Sequence, residues 1–259
     1  MRGLHKNISN EEYHASSPYS SSQFKKALKS IASMNVQTFT TKAMERGTAA
    51  HTLILEGEKF DSEYAVSPTF DKRTKIGKAD FAAFSELHKG KTIINQDEER
   101  VLLSMLDSVN SHKFACELID SGEPEISVFF EDHSVECKVR PDVLADEYIV
   151  DLKTTQSADP EDFARSAVNF GYHLSAAMYM RGVELATGTR RQDFFFVVVE
   201  NQEPFLTEVY RLPSEAISQG EKMYLEALLK VRDYLKGAKG VSYTNQNVTD
   251  LVLPAWAFK

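Results

Sequence analysis

The pattern of apolar and polar positions changes character near the middle of the chain. Before residue 120, apolar residues recur at helical spacing. Ser9-Asn10-Glu11-Glu12 has the form of a capping box and predicts a short helix. The serine cluster at 20–22 opens a second helix, with Phe24, Leu28 and Ile31 on one side. A third helix is predicted over residues 42–56, stopped by Gly57. Residues 61–78 read as an exposed loop, and helices are predicted to follow over 78–88 and 96–119.

The second half reads differently. Residues 126–131, 135–144 and 148–154 are β-rich runs separated by the polar turns Asp132-His133-Ser134 and Asp146-Glu147, which predicts an antiparallel meander. Asp159-Pro160-Glu161-Asp162 is a strong helix start: a cap, a proline at the first position and acids in the first turn. The helix should continue, with a break near Gly171, to residue 186. Residues 192–200 predict a buried strand, 205–212 its partner, and 214–236 a long amphipathic helix. The expected fold class is α/β: a central mixed sheet flanked by helices, with a helical N-terminal extension. Without repeats or a Pro/Gly-rich linker, the chain reads as a single domain. Residues 1–120 form its mostly helical part, 121–212 its core, and 213–259 a C-terminal helix and tail.

Composition narrows the function classes. The 259 residues are 42% hydrophobic and 26% charged, ordinary for a chain that buries a core. The longest apolar runs, such as 194–199, are strand-sized, so no membrane span is expected. Met1-Arg2-Gly3-Leu4-His5-Lys6 lacks the apolar stretch of a secretory signal. Cys116 and Cys137 are expected as buried free thiols, which fits a reducing cytoplasm. The net charge of −8 counts against nucleic-acid binding, because phosphate contacts need Lys and Arg. It does not exclude it, since carboxylates that hold metal ions also count as acidic.

The candidate chemistry lies on the meander. A strand places residues i and i+2 on one face, so Asp151 and Lys153 point the same way while Leu152 points into the core. On the preceding run Glu136, Lys138, Arg140 and Asp142 share a face, and the hairpin can bring Asp142 beside Asp151. Two carboxylates from adjacent strands with a lysine next to them suit a hard divalent cation and a water-activating or charge-neutralising ammonium. An acid-x-Lys triplet arises a few times by chance in such a composition, and Glu136-Cys137-Lys138 is taken as a decoy. On spacing alone, a surface hairpin with an ordinary Asp–Lys pair is an equally good reading.

Five stretches in order carry a resemblance that shifts this balance. Ile8-Ser-Asn-Glu-Glu-Tyr-His14 with its serine cluster, Met44 to Glu56, Arg140-Pro-Asp-Val-Leu144, Ile149-Val-Asp-Leu-Lys-Thr-Thr155 and Tyr172-His-Leu-Ser-Ala-Ala-Met-Tyr179 together resemble the PD-(D/E)xK nucleases. The similarity is to the phage and prophage RecE-like (exonuclease VIII-like) group, related to RecB-type nuclease domains. It implies a restriction-endonuclease-like core and a catalytic trio of Asp142, Asp151 and Lys153. Metal ligands would be His51, Asp142, Asp151, the Leu152 carbonyl and Glu125, with Mg²⁺ as cofactor and Mn²⁺ as a substitute. With two cysteines, the chain cannot carry the four-cysteine iron–sulfur cluster of some relatives. Ser175 stands where many relatives carry glutamine, which leaves substrate contacts on that helix open.

The resemblance implies a 5′→3′ exonuclease on linear double-stranded DNA. It would leave 3′ overhangs for a single-strand annealing protein in phage-type recombination. Competing readings are an endonuclease or structure-specific nuclease of the same superfamily, and a catalytically inactive DNA-binding module. Candidate DNA contacts are Lys72, Arg73, Lys75 and Lys78 in the basic loop, with Lys138, Arg140, Tyr172 and Tyr179 nearer the site. A homo-oligomeric ring of three or four subunits is expected, in the bacterial host cytoplasm if phage-encoded. Its contact surfaces would be the helix at 214–236 and the apolar tail at 251–258.

Overall fold

In the computed structural model, which describes residues 2–37, 39–240, 243 and 248–258, the runs at 148–155 and 193–200 lie side by side as parallel strands. In chain order the N-terminal part comprises β1 (Gly3–His5), α1 (Asn10–Ala15), α2 (Ser21–Lys29), α3 (Lys42–Leu55), α4 (Gly57–Glu63), β2 (Tyr64–Ser67), α5 (Lys75–Leu87), β3 (Thr92–Asn95), α6 (Gln96–Ser111) and α7 (Lys113–Asp120). There follow β4 (Glu123–Pro124), β5 (Ser127–Asp132), β6 (Val135–Val139), β7 (Val143–Leu144) and β8 (Tyr148–Thr155). The chain then forms α8 (Pro160–Asn169), α9 (Tyr172–Thr187), β9 (Asp193–Glu200), β10 (Thr207–Arg211) and α10 (Ser214–Leu235).

The central sheet has five strands in the order β10-β9-β8-β7-β4, mixed because β8 and β9 are parallel and their other neighbours antiparallel. A parallel pair needs a crossover, and α8–α9 supply it. Alternate residues of these strands feed two cores. Ile149, Phe194, Phe196 and Val198 pack with α2, α9 and α10. Val150, Leu152, Val197 and Val199 pack with α3, α6 and α7. The sheet is therefore covered on both faces, as the near-continuous apolar run of β9 requires. Gly220 lets α10 close onto α9: a Cβ there would fall 2.0 Å from the His173 carbonyl oxygen. Among the described residues no helix is long and apolar enough to cross a membrane.

The capping signals act as the sequence predicts. Ser9 and Glu12 form the reciprocal box, and Asp159 accepts from the first-turn amides of α8. Several expectations are corrected. Residues 135–144 are not one strand: β6 joins a small sheet of order β1-β5-β6, and β7 joins the central sheet. The break falls at Arg140-Pro141-Asp142, where proline offers no N–H for a ladder and biases its predecessor. Gly57 opens α4 instead of ending a helix before a loop, and residues 64–67 pair with β3 as a short parallel sheet. The exposed loop shrinks to 68–74, and Lys75 and Lys78 sit in the first turn of α5. The helix over 96–119 is two helices, because His112 turns extended and its ring Nδ1 caps the Ala115 N–H at 3.2 Å. Both cysteines are free, but only Cys137 is buried.

Candidate metal centre

Strand β7 runs antiparallel to β8 with Val143 opposite Val150, which sets Asp142 beside Asp151 at the strand end. One Asp142 oxygen, Oδ2, accepts the Leu152 backbone N–H at 2.6 Å. The other, Oδ1, lies 3.6 Å from His51 Nδ1 on α3. The period of α3 sends Ala49 and Ala50 into the core and turns His51 to the strand ends.

Glu125 completes this group. One ligand atom each from His51, Glu125 and Asp142 lies within 4.8 Å of the others. Glu125 lies between two strands, outside both. It occupies a turn between β4 and β5 with φ 53°, in the left-handed region that side chains rarely adopt, and its N–H donates to the Asp142 carbonyl at 3.1 Å. Strain of this kind persists only where surrounding structure fixes it, and it collects at functional sites.

The electrostatics fit a cation. Burial and the nearby Asp142 carboxylate push the Glu125 carboxyl up to about 7. Asp142 is held below the usual carboxylate range: burial opposes this, but the His51 imidazole, Lys153 and the Leu152 N–H outweigh it. His51 is raised, because Asp142 outweighs the effect of burial. The donor set is two carboxylates and one imidazole, with a carboxyl forced toward protonation when nothing positive sits among them. That set matches a divalent ion.

Asp151 and Lys153 form a close ion pair on the same face of β8, next to this cluster. Burial and Asp142 raise the Asp151 carboxyl, with Lys153 opposing. Burial disfavours the Lys153 ammonium, but Asp151 and Asp142 outweigh it and keep the group protonated. The same ammonium stands 5.2 Å from the Tyr172 ring centre and 3.4 Å from the Leu152 carbonyl. Tyr179, at the core edge on the same helix, has its phenol pushed well up by burial and by Asp151. Beside His51 and Glu125 opens a cleft of about 700 Å³, walled by the 6–10 segment, α3 and β4.

The outlying candidates fare differently. Lys138 is not available to DNA, contrary to expectation. Its ammonium is buried and donates to the Tyr13 and Ser16 carbonyls, both at 2.7 Å, capping the end of α1. The decoy triplet is thus a strut, not a site. Arg140 lines the cleft, but its donors engage Ser127 Oγ and the Ile8 carbonyl and its plane stacks on Tyr13. Arg73 is paired with Asp71, and Lys72 lies 3.4 Å over the Phe81 ring, while Lys75 and Lys78 are exposed. One cation escaped the sequence reading: Lys25 of α2 comes near the Asp151–Lys153 pair, though nothing in its spacing signals it.

Residues 20–246 match the family described as a PDDEXK-like domain of unknown function (DUF3799), and the chain belongs to that family. Its fold is similar to that of a crystal structure titled "Putative exonuclease" from Eubacterium rectale, with a TM-score of 0.63, 13% identity, and coverage of 96% of this chain and 97% of that one. An alkaline exonuclease from Laribacter hongkongensis matches more loosely, with a TM-score of 0.32, 12% identity, and coverage of 88% and 96%. No curated protein matches the sequence. The family and the shared fold agree with the PD-(D/E)xK resemblance and with the α/β class expected from the sequence.

Proposed function

We propose that this PDDEXK-like protein is a metal-dependent deoxyribonuclease. It degrades one strand of linear duplex DNA in the 5′→3′ direction and leaves a 3′ overhang for a single-strand annealing protein. The observation that carries this reading is the convergence of His51, Glu125 and Asp142 beside the buried Asp151–Lys153 pair. That combination suits phosphodiester hydrolysis, because it offers cation ligands with an ammonium beside them.

His51, Glu125 and Asp142 would hold the cation, with Asp151 and the Leu152 carbonyl as further ligands. When bound, a cation such as Mg²⁺ supplies Lewis acidity toward the phosphoryl group and lowers the pKa of a water; the imidazole donor also suits Mn²⁺. Lys153, paired with Asp151, would orient or activate the attacking water or neutralise charge on the phosphate. Asp142 is pre-set by the Leu152 N–H, so the carboxylate needs little reorganisation. The exposed Lys75 and Lys78, with Lys72, supply phosphate contacts away from the chemistry, and Tyr172 and Tyr179 border the reacting strand. The exonuclease designation of the Eubacterium rectale protein points the same way. The chain acts as one nuclease domain in a ring of identical subunits, in a reducing cytoplasm compatible with two free thiols.

The test is digestion of end-labelled linear duplex and of closed circular duplex with Mg²⁺. Linear DNA should be consumed, mononucleotides released, and the circle should persist. Cutting of the circle would make the protein an endonuclease. Binding without cleavage under every divalent ion would make it an inactive DNA-binding module.

A further inference from the structure

We infer that Lys25 is a phosphate-binding residue of this centre, contacting the cut strand at the phosphate next to the scissile one. The inference rests on the nuclease reading above and extends it to a residue outside the catalytic hairpin.

Lys25 lies on α2, which packs against α9 and α10. Its stem crosses Gly171, the left-handed residue (φ 63°) joining α8 to α9, where a Cβ would sit 3.0 Å from Lys25 Cδ. The next residue is Tyr172, whose ring faces the Lys153 ammonium. Two lysines, one from α2 and one from β8, thus converge on the start of α9.

The charges at this corner do not balance. The Asp151 carboxylate is already paired with Lys153. Lys25 is half-buried, yet among the described residues it makes no hydrogen bond or ion pair. Lys138 shows the usual outcome for an internal lysine in this fold, with carbonyl and hydroxyl oxygens around its ammonium. Burial and the repelling Lys153 charge pull the Lys25 ammonium down to about 8, while Asp151 opposes them. A partly desolvated cation without an acceptor is unfavourable unless a ligand provides one. The one ion pair at this corner is Asp151–Lys153, which leaves the Lys25 ammonium without an anion of its own beside the metal cluster. A phosphodiester has the single negative charge and the oxygen acceptors that such a corner lacks.

The alternative is a lysine that merely packs its stem over Gly171 and leaves its head in water. Lys25→Met and Lys25→Arg separate the two, because Met keeps the stem and Arg keeps the charge. Affinity for a short duplex is measured in chelator over a salt series, and steady-state cleavage with Mg²⁺ in parallel. For Lys25→Met the expected result is weaker binding, a log–log salt slope shallower by about one, and KM raised about tenfold, the scale of one charge-assisted hydrogen bond. Lys25→Arg should recover most of this, and thermal stability should not fall in either variant. Unchanged affinity, slope and KM in Lys25→Met, in a protein whose wild type binds and cuts, overturns the inference and leaves the nuclease reading intact. A wild type that neither binds nor cuts DNA overturns both.

Discussion

His51 Nδ1 lies 3.6 Å from Asp142 Oδ1, and this contact links the N-terminal helical part to the start of β7, beside the strand that carries the Asp151–Lys153 pair. The other Asp142 oxygen is fixed by the Leu152 amide. One carboxylate therefore joins helix α3, strand β7 and strand β8, so the cluster is assembled only when all three have packed. Substitutions on the three elements should accordingly disturb the centre in different ways.

Asp142→Asn, Asp151→Asn and Lys153→Ala should each lower cleavage more than about a hundredfold, beyond the roughly 10–100-fold typical of supporting residues. The asparagine at 142 keeps an acceptor for the buried Leu152 N–H. Asp142→Ala orphans that donor and should also lose about 1–3 kcal/mol of stability. Circular dichroism melts alongside cleavage rates separate the two effects. Full Mg²⁺-dependent activity in Asp151→Asn would sink the assignment of the site.

His51→Ala should shift the divalent-ion requirement upward by about tenfold or more, with activity returning at high metal. Mass action rescues a missing ligand but not missing packing. A variant that melts earlier while its metal titration stays unchanged would make His51 a boundary residue of α3 and nothing more.

The metal-free protein should lose stability as pH rises from 4.5 toward 7. Glu125 has an ordinary value of 4.5 and a folded value of about 7, so in this window the folded state binds more protons than the unfolded state, and stability falls with pH. His51, also raised, acts in the same direction: its contribution is lost as pH passes its folded value above 6.5. Asp142 is lowered, so its opposing contribution is lost only below its ordinary 3.8. Melting in chelator across pH should show the decline, Glu125→Gln should flatten it, and added Mg²⁺ should lift the melting point most at the high-pH end. A flat profile for the wild type would contradict the crowding of carboxylates at this centre.

The central features of the site were legible because they follow from periodicity. The two-residue period of β8 puts Asp151 and Lys153 on one face with Leu152 buried between them, and the Pro-Asp pair lies in the break just before β7, the strand that pairs with β8. The features that escaped depend on contacts distant in sequence or on single backbone angles. Strands β2 and β3 have four residues each and pair across 24 intervening positions, too short for alternation to register. The left-handed turn at Glu125 is a non-glycine exception that composition does not announce. Lys25 looks like any lysine on an amphipathic helix, and only the crossing of α2 over Gly171 brings it to the site. Lys138 shared a predicted face with Asp142, but the break at Pro141 left Lys138 in the β1-β5-β6 sheet and Asp142 just ahead of β7 in the central one.

Neutralising Lys72, Lys75 and Lys78 should weaken duplex binding and make the log–log salt slope shallower by about 0.9 for each phosphate that is no longer neutralised. Arg73→Gln should add little, because Asp71 already holds its guanidinium through two hydrogen bonds. Fluorescence anisotropy over a salt series measures both. An unchanged slope in the triple variant would return α5 to plain solvent exposure.

An exonuclease that removes many nucleotides in one encounter must stay on the DNA between cuts. An acidic chain of net charge −8 cannot do this by surface charge alone, since ordinary salt screens beyond about 10 Å. Encirclement by identical subunits would solve the problem topologically. The C-terminal tail offers contact surface: Leu251, Val252, Trp256 and Phe258 are each at least 73% exposed and do not fold back onto the core. A run of large apolar side chains in water favours burial against another surface. Deleting the chain from residue 248 onward should therefore dissolve a trimer or tetramer into monomers and shorten the tracts digested per encounter, while single-site cleavage of a short duplex persists. Light scattering coupled to size exclusion reads the mass. A full-length chain that stays monomeric with and without DNA, yet digests long tracts, would rule out the ring and leave the metal centre unaffected.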